Sequence, residues 1–405
     1  MADLLFLAHR LPYPPNKGDK LRSFHLLEHL ASRHRVFLGT FIDDPEDEAH
    51  VDTVRAMCAG MHVVRLLPAV ARLRCLRGLL RRDALTLAYY SDATLARWVR
   101  ETVARHAIDT AVVYSSAMAQ YVRPESGLNM LVDFVDVDSA KWSQYAAAHR
   151  WPLSWLYRRE GECLLSYERS VAARARRSFF VTEGESALFR RLAPESSMSV
   201  EVMGNGVDAV YFDSDARRAS PFDSAEIPLV FTGAMDYWPN VDGIVWFERE
   251  VMPRLRAEWP RLRLHVVGRN PTAAVRALAG PAVGVTGTVP DVRPYLQHAA
   301  VVVAPLRIAR GIQNKILEAM AMGRPVVAAQ ACVEAIGASS AQGLLGARDG
   351  AEFVERIGAL LRHPAQARAL GDAGRAAVLR NHGWPAHMSR IDAHFGVAAG
   401  EGALA

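Results

Sequence analysis

Short apolar, β-forming runs alternate with longer segments of helical periodicity along nearly the whole chain, and several of the runs end at a glycine or a proline. Crossovers of that length between strands make the strands parallel and cover the sheet with helices. The first series has runs at 4–8, 36–41, 62–67, 110–114, 130–134, 178–181 and 199–203, with a helix over 21–32. The second has runs at 229–232, 262–267, 283–286, 300–304 and 325–328, with helices over 241–259, 291–298, 350–361 and 365–379. Between them, 213–228 carries Asp, Ser, Arg, Ala and two prolines without either periodicity, which reads as a linker. A chain of 405 residues also exceeds one ordinary core. The expected organisation is an α/β protein of two Rossmann-like domains, 1–212 and 229–380, with a helix at about 381–396 crossing back to the first.

With 50% hydrophobic and 22% charged residues, the composition is that of a soluble globular protein and excludes wholesale disorder. Cys58, Cys75, Cys163 and Cys332 have no close spacing, so they read as reduced thiols rather than a zinc site or a disulfide frame. The apolar run 4–8 is too short for a signal-peptide core and is ended by His9 and Arg10. No stretch approaches the ~18 apolar residues of a membrane span, and a cytoplasmic location is expected. The net charge of +5 is unevenly placed, with Arg65, Arg72, Arg74, Arg77, Arg81 and Arg82 interleaved with leucines over 65–82. Two readings fit: a basic amphipathic helix peripheral to an anionic membrane surface, or a solvated helix whose arginine stems cover the core. Nucleic acid is not an expected partner, because aromatic platforms and further basic clusters are missing around this segment.

The stretch 311–327 is the most informative for chemistry. A glycine turn enters a helix carrying Lys315 and Glu318, Gly323-Arg324-Pro325 stops it, and a strand follows. A helix N-terminus offers unpaired N–H groups and a positive dipole end, a ready anion site. Lys315 and Glu318 are three apart and share a face, so one can hold a phosphate while the other accepts from sugar hydroxyls. In open parallel sheets ligands bind beyond the carboxyl ends of the strands, and Gly233, Gly268 and Gly287 stand at three such ends. Together with the Gly311 loop they imply a backbone-lined pocket for a nucleotide diphosphate. The first domain offers the turn Asn16-Lys17-Gly18-Asp19 and the carboxylates Asp133, Asp136 and Asp138. Those carboxylates can bind a metal, orient an acceptor hydroxyl or cap a helix. The cap suits Asp138-Ser139, and a metal is not expected. Asp136 and, second, His9 are the polar residues expected near a reacting centre.

Three elements make the chain resemble the large retaining family of GT-B glycosyltransferases, family 4 (glycosyl transferases group 1). They are Asn205-Gly206-Val207-Asp208 with Tyr211-Phe212, the turn Gly287-Thr288-Val289-Pro290-Asp291-Val292, and the block 317–327, LEAMAMGRPVV. The opening 9–15 and the segment 136–142 resemble a subgroup tied to exosortase (PEP-CTERM) exopolysaccharide loci. The resemblance implies the GT-B fold, two facing Rossmann-like domains with a deep interdomain cleft, a sugar-nucleotide donor on the second domain and a glycan or lipid-linked acceptor on the first. It implies transfer with retention and no metal or other cofactor. By position, Glu318 would accept from the donor ribose hydroxyls, and Gly311, Ile312 and Gln313 would offer N–H groups to pyrophosphate and sugar. Lys315 would add charge, Gly233 would sit against the phosphates, Thr288 and Val289 would line the base pocket, and Gly18 would shape the facing loop.

Two departures stand out. Arg310 occupies the place of the first of two family glutamates, a residue that contacts the donor sugar, so Arg310 joins Asp136 and His9 as a residue of the reacting centre. Gly233 is not followed by the usual Arg and Lys, which leaves Lys315, Arg307 or Arg310 to neutralise the pyrophosphate. The reaction implied is glycosyl transfer from a nucleotide diphosphate to an acceptor hydroxyl, driven by stabilising the leaving diphosphate. A sugar-nucleotide 2-epimerase and a non-catalytic nucleotide-sugar-binding protein remain as alternatives on the same scaffold.

Overall fold

The computed structural model describes residues 1–15, 18–81, 83–307, 312–337 and 343–395, without the side chains of Leu76, Arg77, Leu80 and Arg81. The chain forms two units, Met1–Met203 with Met388–Ala405, and Gly204–His387. Asn16, Lys17, Arg82, Arg310 and Gly311, all singled out above, lie outside the described residues.

The first unit holds a parallel sheet of β1 (Asp3–Ala8), β2 (Arg35–Ile42), β3 (Gly60–Arg65), β4 (Thr110–Tyr114), β5 (Asn129–Val135), β6 (Arg177–Phe180) and β7 (Val200–Val202), in the order β3-β2-β1-β4-β5-β6-β7. Residues 4–8 and 110–114 are buried throughout, because helices cover both faces of a parallel sheet. The helix Gly18–Ala31 places Arg22 inside this core, where its Nε and Nη2 donate to Asp133 of β5 at 2.7 and 3.0 Å and Nη2 also donates to the Met203 carbonyl at 2.7 Å. The pair binds the helix, β5 and the end of β7 together. Arg22→Met would leave the Asp133 carboxylate buried without its cation. The expected loss is about 3–5 kcal/mol, read from urea denaturation; a loss under about 1 kcal/mol would mean that the pair does not hold these elements together.

The second unit holds β8 (Ile227–Thr232), β9 (Leu262–Val267), β10 (Val283–Gly287), β11 (Val301–Ala304), β12 (Val326–Ala329) and β13 (Leu344–Ala347), in the order β10-β9-β8-β11-β12-β13. The edge strand β13 escapes sequence reading because its Leu-Leu-Gly-Ala run is too short and too small for a strand signal. The helix expected over 241–259 is two helices, Trp238–Glu250 and Met252–Glu258. Pro253 has no N–H to give the Arg249 carbonyl, so the first helix stops there.

The unit boundary falls at Met203, earlier than the division expected at 212, because the loop after β7 bonds to the second unit. Asn205 Nδ2 donates to Asn314 Oδ1 at 3.1 Å and the Val207 N–H to the His382 carbonyl at 2.8 Å. The segment 213–226 has no strand or helix, yet it is not a loose tether. Gln297 Nε2 donates to the carbonyls of Ser214 and Ala216 at 3.1 and 2.8 Å, and Arg218 Nη1 bonds Gln297 Oε1 at 3.3 Å. The tail is a short helix, Trp384–Met388, followed by a 3-10 turn, Ser389–His394, rather than one helix. The turn belongs to the first unit, where Asp392 meets His29 at 2.8 Å and His394 meets Glu201 at 3.0 Å. Among the described residues no helix is long and apolar enough to cross a membrane.

Candidate functional site

The strand order reverses between β8 and β11 in the second sheet and between β1 and β4 in the first. Loops leaving the carboxyl ends of such a strand pair diverge to opposite faces and open a crevice between them.

In the second unit, Gly233 directly follows β8, and the loop after β11 leads to the helix Asn314–Ala321. Lys315, in the first turn of that helix, reaches back across the crevice. Its Nζ donates to Asn240 Oδ1 at 2.6 Å and lies 4.3 Å from the centre of the Phe231 ring. Asn240 is itself fixed by a bond from Nδ2 to the Ala234 carbonyl at 2.8 Å. A Cβ at residue 233 would stand 2.8 Å from Lys315 Nζ and 2.9 Å from Asn240 Nδ2, so glycine is what lets the ammonium lie against the backbone. Gly268, at the end of β9, comes closer still, since a Cβ there would be 1.6 Å from the Gly233 carbonyl oxygen. Gly268→Ala must therefore displace the loop carrying Gly233. It is expected to cost about 2–4 kcal/mol and to weaken nucleotide binding with it; an unchanged melting temperature would show that the two loops are not in contact in solution.

Lys315 and Glu318 share the crevice, and each is half-buried there. Burial pulls the Lys315 ammonium down to about 8 and pushes the Glu318 carboxyl up to about 7, with Lys315 opposing that rise. Glu318 has no hydrogen-bond partner in the protein among the described residues, so its acceptor oxygens are open to a ligand. Ile312 and Gln313 lead directly into the helix, with Gln313 at its N-cap and Ile312 packed on the core. Thr288 and Val289 follow β10, at the sheet edge two strands from β8; Thr288 is exposed and Val289 rests on the core. Arg307 is not a free cation, because its Nε and Nη2 bond Asp242 at 3.0 and 2.6 Å. Arg310 and Gly311 are outside the described residues. Asn240 is the residue that sequence reading missed. The available signal was a polar side chain in the first turn of the helix after β8, in a loop already noted for lacking Arg and Lys.

At the first unit's switch point, His9 follows β1 and its ring stacks on Tyr114 of β4 at 5.7 Å, with Tyr90 edge-on at 5.6 Å. His9 Nε2 lies 3.4 Å from Asp19 Oδ2, and Nδ1 is buried without a partner. Asp19 also takes Arg10 Nη1 at 2.7 Å, and Arg10 Nε bonds Asp43 at 2.7 Å. Burial alone would raise the Asp19 carboxyl, but His9 and Arg10 outweigh it and hold it well below the usual range. Asp19 thus stays a carboxylate that orients the His9 ring. Gly18 begins the helix that carries Asp19 and is exposed.

Asp136 follows β5, where the register against β6 shifts between Asp133 and Val135 and Val135 takes a φ of +69°. A β-branched residue in that region is strained, and such strain clusters at functional sites. The shift turns Asp136 toward Lys141, whose Nζ it meets at 2.8 Å, and leaves Oδ1 buried without a partner. Burial would lower the Lys141 ammonium, but Asp136 and Asp138 raise it well above the ordinary lysine range. The three aspartates do not form one cluster, since Asp133 is committed to Arg22. The expected cap is also corrected. Asp138 sits in the first turn of the helix Asp138–Ala148 and bonds Lys141 at 3.0 Å, while Glu168 takes the Ser139 N–H at 3.2 Å and Glu185 takes the Val137 N–H at 2.8 Å.

Residues 226–363 match the family model described as Glycosyl transferases group 1. No curated protein matches the sequence. Among solved structures, the chain is similar to sucrose-phosphate synthase from Thermosynechococcus elongatus, with a TM-score of 0.71 at 18% identity over 97% of this chain and 98% of that one. It is similar to HepE from Anabaena, solved with UDP and glucose, with a TM-score of 0.69 at 15% identity over 98% of this chain and 99% of that one. WaaG, a glycosyltransferase involved in lipopolysaccharide biosynthesis, gives a TM-score of 0.67 at 17% identity over 97% of this chain and 100% of that one. The fold, two Rossmann-like parallel sheets, is that of GT-B structures.

Proposed function

We propose that the protein is a family 4 glycosyltransferase of the hexosyl-transferring type. It moves a sugar from a nucleotide-diphosphate donor to an acceptor hydroxyl, with retention, in polysaccharide or glycolipid assembly. The observation that carries this reading is the crevice of Gly233, Asn240, Lys315 and Glu318, which lies at the strand-order reversal and within the residues matched by the glycosyl transferases group 1 model. The ammonium and the helix N-terminus suit a diphosphate, and the open carboxylate of Glu318 suits ribose hydroxyls. As the bond from the anomeric carbon to the diphosphate oxygen breaks, charge gathers on the leaving group, and Lys315 is the cation proposed to neutralise it. The acceptor oxygen bonds the anomeric carbon from the face that the diphosphate leaves, which keeps the configuration, and its proton passes to the departing phosphate oxygen. His9, held by Asp19, and Asp136 are the proposed groups for orienting that hydroxyl, with Arg310 assigned to the reacting centre from the sequence. UDP-sugars are the donors to try first, since HepE was solved with UDP and glucose.

A peripheral place at an anionic membrane belongs to this reading. In the helix Pro68–Arg81 and at the residue before it, Leu67 and Leu73 are 62% and 61% exposed, with Arg72 exposed beside them. The test of the activity is a panel of sugar nucleotides, scored first by thermal stabilisation and then by turnover with glycolipid and glycan acceptors. Stabilisation followed by transfer, with the donor's anomeric configuration kept in the product by NMR, is the expected result. Stabilisation without any turnover would overturn catalysis, and epimerised donor would replace transfer with epimerisation.

A further inference from the structure

The helices Asp138–Ala148 and Leu153–Arg174 pack on each other as a hairpin, and large side chains at and just after its turn, 149–152, are uncovered. Trp151 is 80% exposed, Trp155 55% and Leu153 45%. This is not the exposure of a loose end. Tyr157 is ringed by Trp142 at 5.4 Å, His149 at 5.2 Å and Tyr145 at 6.2 Å, which staples the two helices together just behind the tip. The base is braced as well. Glu160 takes the N–H groups of Leu85 and Thr86 at 2.6 and 2.9 Å, and Arg159 Nη2 donates to the carbonyls of Gly78 and Leu79 at 3.0 and 3.3 Å. Trp155 is one helical turn before Arg159, so it stands close to the C-terminal end of the helix Pro68–Arg81.

Along the chain, the charge of the tip segment has one sign. From 139 to 159 the chain has no carboxylate, and Arg150 and Arg158 are exposed without an ion pair among the described residues. Trp155 and Arg158 share a helix face. A rigid pair of tryptophans beside unpaired guanidiniums matches the boundary between headgroups and acyl chains: indole rings favour that depth, and anionic headgroups neutralise the arginines. We infer that this hairpin tip is a second membrane foot, which inserts Trp151 and Trp155 into the interface of an anionic bilayer. The inference rests on the membrane side of the proposed function and not on its chemistry, and it adds an anchor on a different element from 65–82.

The test is flotation of the purified full chain with vesicles of phosphatidylcholine alone or of phosphatidylcholine with phosphatidylglycerol. Wild type is expected to float with the anionic vesicles and not the neutral ones. The double variant Trp151→Ser, Trp155→Ser is expected to lose at least about tenfold in partitioning, with an unchanged circular-dichroism melt. Wild-type partitioning in that variant overturns the inference. If Leu67→Ser with Leu73→Ser abolishes flotation while the tryptophan variant keeps it, the helix 68–81 alone docks and the hairpin foot is wrong. Equal binding to neutral vesicles overturns the role of the arginines. A wild type that is dimeric by sedimentation velocity and becomes monomeric in the tryptophan variant assigns the tip to a second copy of the chain instead. Failure of wild type to float overturns both membrane readings and leaves the sugar-nucleotide reading standing, since flotation requires no donor.

Discussion

Glu318→Gln is expected to weaken sugar-nucleotide binding by about 10- to 100-fold and, unusually for a substitution in a binding crevice, to raise the melting temperature near neutral pH. Both effects have one cause. Burial holds the Glu318 carboxyl at about 7 in the folded protein, against an ordinary value of 4.5. Between those values the folded state holds a proton that the unfolded chain has released, so stability falls as pH rises through that window and stays low above about 7. The charge is thus a standing cost at about pH 7.5, and the amide removes it. The same amide lacks the charged acceptor that would bind ribose hydroxyls. Titration calorimetry with UDP and UDP-sugars, beside melting curves at about pH 5 and 7.5, measures both sides. Undiminished affinity removes Glu318 from the donor site, and a lower melting temperature at the higher pH means that its charge is satisfied by the protein itself.

The second large effect concerns Lys315 and the residue that aims it. Lys315→Met is expected to cost about 10- to 100-fold in affinity for a nucleoside diphosphate. In the wild type, affinity should decline as pH rises through about 8, where the buried ammonium loses its proton, by up to about tenfold per pH unit. The titratable groups bearing on it are Glu318 on its own helix and Cys332 from the helix Gln330–Ile336, whose thiol is pushed up to about 12 by burial and so stays neutral over this range. Asn240→Asp would set a carboxylate in place of the amide that Lys315 touches at 2.6 Å. That carboxylate holds the proton on Lys315 and competes with the diphosphate for it. The expected result is a loss of about tenfold or more at pH 7.5, with the alkaline decline displaced upward. A pH-independent affinity, or an Asn240→Asp protein with the wild-type profile, would show that the ammonium does not meet the phosphates.

Strand positions were legible because a parallel strand is buried on both faces and must be an unbroken apolar run. The runs at 110–114 and 262–267 coincide with β4 and β9 to the residue. The exceptions have local reasons, in the short, small-residue β13 and in Pro253, which divides a helix that hydrophobic periodicity alone reads as continuous. In the candidate site, Gly233, Lys315 and Glu318 were legible from glycine at a strand end and from three-residue spacing on one helical turn. Asn240 was not, because its partner is 75 residues away and a polar side chain in a helix's first turn does not by itself say what it will meet. Asp133 and Asp136 look alike in sequence, yet one lies paired in the core and the other past a register shift at the carboxyl end of β5.

What the sequence by itself determined is everything that depends on near neighbours: where strands and helices form, which strand ends need a residue without a Cβ, and which helix presents a cation and a carboxylate on one face. These follow from backbone sterics and periodicity. The tertiary structure alone decided which charges are used up and which are left open. It pairs Arg307 with Asp242, Arg22 with Asp133 and Lys141 with Asp136, and among the described residues it leaves Glu318 without a hydrogen-bond partner and aims Lys315 at Gly233. Charge pairing and desolvation depend on groups brought together from distant parts of the chain, and only folding brings them within reach.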